Sequence, residues 1–120
     1  MSTKSNGNGS VERLEEDAFA LTQAALAISE AKAKGDGPAL TQALDDNLKL
    51  WVAIRTMVDT NQSALPPEVA ANLLRLSKYT AQKTFELENG ITDEVLDSLI
   101  NTNLQISEGL LEGRSRLLSK

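Results

Sequence analysis

Two asparagines stand where chemistry must explain them. Asn47 lies in Ala43-Leu44-Asp45-Asp46-Asn47-Leu48-Lys49-Leu50-Trp51, three residues from Leu44 and four from Trp51. Asn103 lies on a line of Val95, Leu99, Ile106 and Leu110. An amide on an apolar helix face must find hydrogen-bond partners or cost stability. Two readings fit both residues. They form a polar latch that fixes helix register or reads a partner, or they are helical asparagines satisfied locally or by water. Trp51 is the only tryptophan in a chain that is 3% aromatic, and its indole is expected to anchor the core beside Leu44 and Leu48, in contact with the last helix.

The groups that usually run hydrolytic, redox or metal chemistry are missing or dispersed. With no cysteine there is no disulfide, thiolate metal site or cysteine nucleophile. With no histidine the commonest general base and transition-metal ligand are gone, and so is the Glu-x-x-His pair of di-metal bundles. Carboxylates cluster at Glu15-Glu16-Asp17, at Asp45-Asp46, and at Asp93-Glu94 with Asp97. A cation would need several of them to converge, and the plainer reading is solvated helix faces aligned with helix dipoles. Gly7, Gly9, Gly35 and Gly37 flank helices with no strand before them, so no phosphate-binding loop is formed. No Gly-x-Ser-x-Gly elbow is present. No catalytic residue, metal ligand or cofactor is assigned, and the chain is expected not to be an enzyme.

The elements that carry these residues are helices. Ala and Leu dominate and β-branched residues are few. Residues 1–10 are small, polar and glycine-rich, and are expected to be a disordered tail. Val11 to Lys34 predicts a first helix, with a stripe of Val11, Leu14, Ala18, Leu21, Ala25 and Ile28 widened by Phe19 and Leu26. Gly35-Asp36-Gly37-Pro38 breaks it, and a second helix runs to about Thr60 on Leu40, Leu44, Leu48, Trp51, Ile54 and Val58. Asn61-Gln62-Ser63 reads as a polar loop, and Leu65-Pro66 as its exit. A third helix spans about Pro67 to Glu88, with a stripe of Val69, Leu73, Leu76 and Thr80 that Lys83 and Thr84 blunt. Thr92 caps a fourth, whose main stripe is Val95, Leu99, Asn103, Ile106 and Leu110. Short connections then predict an all-α, single antiparallel bundle of about four helices over residues 11–112, with a C-terminal extension at 113–120.

One line is left over. Ile100, Leu104, Leu111 and Leu118 follow helical spacing beside the main stripe of the fourth helix. They form either a docking surface for a partner or a wide core-facing stripe. Leu111 to Lys120 is expected to be only partly held by its own bundle and to contribute an interface with a second copy or a partner helix. The formal net charge is −5, from 12 Lys and Arg against 17 Asp and Glu. That balance argues against direct binding to nucleic acid or anionic membrane. No apolar run approaches the ~20 residues that span a bilayer. The N-terminus has no secretory signal, so the expected location is the cytoplasm.

Three stretches, in order, resemble the flagellar biosynthesis regulator FlaF family of alphaproteobacteria. They are Ala43-Leu44-Asp45…Asn47…Leu50-Trp51, Leu65-Pro66 followed by Leu76-Ser77, and Leu99-Ile100…Asn103…Ile106…Gly109-Leu110. The resemblance runs from about Glu15 to Leu110 and makes Leu44, Asn47, Trp51, Asn103 and Gly109 its motif residues. The chain departs from the family pattern at Lys78-Tyr79-Thr80, at Leu104 where a basic residue is usual, and in the tail from Leu111 to Lys120. The resemblance implies a non-catalytic, flagellin-binding secretion chaperone that regulates flagellin synthesis or export in flagellum assembly. The alternative it implies is a post-transcriptional regulator of flagellin mRNA translation, acting with the partner regulator FlbT.

Overall fold

The computed structural model describes the backbone of residues 6–60 and 66–119, and the side chains of 15–60 and 66–112. The fold is an all-α antiparallel bundle of four helices: α1 (Asn6–Lys34), α2 (Gly37–Asp59), α3 (Pro67–Glu86) and α4 (Asp93–Ser119). The expected loop Asn61-Gln62-Ser63 lies outside the described residues, as do residues 1–5 of the tail expected at 1–10; residues 6–10 are not a disordered tail but helix. From Asn6 onward the chain is already helical, five residues earlier than the periodicity places the start. Extending a helix already nucleated at Val11 adds one hydrogen bond per residue fixed, which offsets the poor propensity of Gly7 and Gly9.

Local chemistry sets each junction. Gly35 takes φ +64°, and its N–H donates to the Lys32 carbonyl while the Asp36 N–H donates to Ala31. That is a Schellman ending, which an L side chain at Gly35 would strain. Asp36 then caps α2, its carboxylate accepting from the Ala39 N–H at 3.1 Å, with Pro38 in the first turn. α3 ends at Glu86, two residues earlier than expected, because Leu87–Asn89 tightens into a 3-10 turn and Gly90 leaves it at φ +134°. Thr92 caps α4 through its hydroxyl, which accepts from the Val95 N–H at 3.2 Å.

α1 and α4 are the long pair, at 29 and 27 residues, and they pack on each other more extensively than any other two helices. α2 lies on α1, α3 lies on α2, and α3 touches α4 only lightly. The core falls into two parts. At one end Ile28, Ala31, Leu40, Ala43, Leu44, Leu87, Leu96 and Leu99 pack together. Toward the other end Ala18, Leu21, Trp51, Ile54, Leu73 and Leu110 surround the indole.

This asymmetry corrects several expected stripes. On α4 the fully buried line is Leu96, Leu99, Asn103, Ser107 and Leu110, while Val95 and Ile106 are half-buried. The line is turned toward α1, where the contact is heaviest. On α2 the buried face takes in Ala43 and Met57, and leaves Leu48 and Val58 half-buried. On α1, Phe19 and Leu26 do not widen the core stripe, being 66% and 49% exposed.

The glycines make the cap account testable. Gly35→Ala forces a Cβ onto a left-handed residue and is expected to cost about 1 kcal/mol, a few degrees in Tm. Gly109 is helical and a Cβ there would meet nothing within 4 Å. Gly109→Ala is therefore expected to raise Tm by a similar amount. Thermal unfolding by circular dichroism of both variants reads the two opposite shifts, and equal shifts of one sign would contradict the cap geometry.

Candidate functional site

The two asparagines meet in the middle of the bundle, both fully buried. Asn103 Oδ1 accepts from the Trp51 indole Nε1–H at 2.9 Å. Its Nδ2 donates to the Leu21 carbonyl at 3.1 Å and to Asn47 Oδ1 at 2.7 Å. Two of these partners have no choice of role, since an indole N–H only donates and a backbone carbonyl only accepts. They fix the amide orientation of Asn103, so Asn47 must present its oxygen. The consequence is that Asn47 Nδ2 is left buried with no partner. Through this one side chain α4 is bonded to α1 and α2 at the same level of the bundle.

One turn further along α4, Ser107 repeats the arrangement. Its hydroxyl donates to the Ala18 carbonyl at 2.9 Å. With that hydrogen used, the Thr22 hydroxyl is the donor in the 2.9 Å contact between the two. Ser107 sits four residues after Asn103, so its helical face was readable, but a serine among Ile106 and Leu110 gave no sign that it would be buried. On α3, buried Ser77 and Thr80 bond back to the Leu74 and Ser77 carbonyls, which explains how hydroxyls replace apolar groups there.

The acidic clusters do not converge. Lys49 bridges Asp45 at 3.0 Å, Gln42 donates to Asp46 at 2.9 Å, and Lys32 bridges Asp97 at 2.8 Å. The Asp97 hydrogen bond holds the Lys32 ammonium above the usual lysine pKa, and Asp45 does the same for Lys49. Among the described residues, no group of three or more acids stands close enough to hold a metal ion. No described helix is long and apolar enough to cross a membrane. Of the motif residues, Asn47, Trp51 and Asn103 meet in this network, Leu44 is buried in the other part of the core and not beside Trp51 as expected, and Gly109 is exposed and relieves no crowding.

The model of the flagellar protein FlaF family matches residues 4–110. The chain belongs to this family. Comparison with curated proteins and with solved structures gave no match. The family match covers every described motif residue and the whole Asn103 network. It also covers Ile100 and Leu104 of the apolar line beside the main stripe of α4. Leu104 is 40% exposed and Leu111, one residue past the match, is 41% exposed, while Ile100 is half-buried. The side chain of Leu118, the last member of that line, lies outside the described residues.

The network predicts an asymmetry between its two amides. Asn103→Leu would leave the Trp51 N–H and the Asn47 oxygen without partners and strip the Leu21 carbonyl of its second hydrogen bond, at about 3 kcal/mol or more. Asn47→Leu removes one bond and also removes the orphaned donor, so its cost is expected near 1 kcal/mol. Chemical denaturation of the two variants checks this, and equal losses would sink the hydrogen-bond assignment.

Proposed function

We propose that this FlaF-family protein is a non-catalytic, cytoplasmic chaperone that binds unassembled flagellin and regulates its synthesis or export. The observation that carries the reading is the family match over residues 4–110. The physical setting supports it. Leu104 and Leu111 remain exposed on the surface of the bundle, available for another protein's helix. In this reading the protein covers apolar helix surface of flagellin until export. FlbT is the expected partner for any effect on flagellin message, because a net charge of −5 opposes direct contact with RNA.

Titration of monomeric flagellin into the protein by calorimetry, with co-elution on a sizing column, tests the reading. Saturable heat and a shared peak are expected. Absence of both overturns it.

A further inference from the structure

Three hydrogen-bonded or ionic ties set the register of α1 against α4. Ala18 and Thr22 meet Ser107, Leu21 meets Asn103, and Lys32 meets Asp97. In this antiparallel register Leu26 lies level with Ile100, and Phe19 lies between the levels of Leu104 and Leu111. Side chains advance about 100° per residue around a helix. On α1, Ala18 and Thr22 face α4, which turns Phe19 and Leu26 to the side away from α2. On α4, Ser107 faces α1, and Leu104 and Leu111 turn to that same outer side. Exposed Phe19, Leu26, Leu104 and Leu111, with half-buried Ile100, therefore line one groove along the α1–α4 seam.

Acidic residues border this groove. Glu30 flanks it on α1, and Asp97 and Glu108 flank it on α4. The one described lysine at its edge is Lys32, already bridged to Asp97. A second copy would bring the same acidic rim against this one, in a chain whose net charge is already −5. An anionic lipid surface would be repelled likewise.

We propose that the α1–α4 outer groove docks an amphipathic helix of a partner protein, whose apolar stripe is bordered by Lys and Arg. From Ile100 to Leu111 the groove runs about 16 Å, so three turns of the partner helix fill it. Its apolar residues would recur at i, i+3 or i+4, and i+7. The inference deepens the chaperone reading by naming the surface and the chemistry of the bound segment, and it rests on that reading for the partner's identity.

The test uses two probes with the full-length protein. One is monomeric flagellin. The other is a synthetic helix with a leucine stripe bordered by lysine, compared with its counterpart bearing glutamate for lysine. The variants are Phe19→Gln with Leu104→Gln and, as a control on α2 and α3, Val52→Gln with Phe85→Gln; all four positions are exposed, so Tm should hold. The first pair is expected to weaken both flagellin and the lysine helix about tenfold or more, and the control pair to change neither. Glu108→Lys should weaken the lysine helix, and the glutamate helix should bind poorly throughout. If flagellin does not bind the unaltered protein but the lysine helix responds in this way, the chaperone reading fails and the groove stands. If flagellin binds and ignores Phe19 and Leu104, the chaperone reading stands and the groove assignment is wrong. A lysine helix indifferent to the first pair also overturns it, as does a dimer in sedimentation that the first pair abolishes.

Discussion

The structure depends on one amide. Asn103 reaches the indole N–H of α2, a backbone carbonyl of α1 and the side chain of Asn47, and all three contacts are removed from water. Apolar packing alone tolerates sliding of one helix along another, because leucines are largely interchangeable. A buried amide with directional partners does not tolerate it, since a slip leaves several polar groups unpaired at once. The network thus supplies positional specificity where the leucine–alanine core supplies most of the driving force. Its imperfection has a cause: the fixed roles of indole and carbonyl leave Asn47 Nδ2 without a partner.

From that register follows the shape of the surface. α1 and α4 are held together along most of their length, while α3 leans on α2 and barely meets α4. The buried line of α4 rotates toward α1, which half-exposes Val95 and Ile106 on one side and leaves Leu104 and Leu111 on the other. The same register puts Phe19 and Leu26 of α1 beside them. Exposed apolar residues on this face are therefore a consequence of how the core is satisfied, and they sit on the two most firmly held helices of the bundle.

Much of this was legible in the residues. Periodicity located all four helices, and Gly35, Asp36, Pro38 and Thr92 marked their ends because each acts through local geometry. Trp51 and the two asparagines were visible as outliers on apolar stripes, and the family resemblance agreed with the match over residues 4–110. What periodicity could not give is which neighbour each stripe faces. Phe19 and Leu26 look like core from spacing alone, since a helix does not record how wide a face its partners cover. Ser107 looks like an interruption until the Ala18 carbonyl and Thr22 are placed opposite it. The site was thus readable in its types and unreadable in its pairings, which are set by non-local packing.

The central claim is that the Trp51 indole N–H is sealed in a hydrogen bond to Asn103 that opens only when the bundle does. Hydrogen exchange of that indole proton, followed by NMR, tests it most directly. The account predicts exchange as slow as that of the slowest backbone amides, with the same dependence on denaturant. Exchange at the rate of a solvent-exposed indole would contradict it.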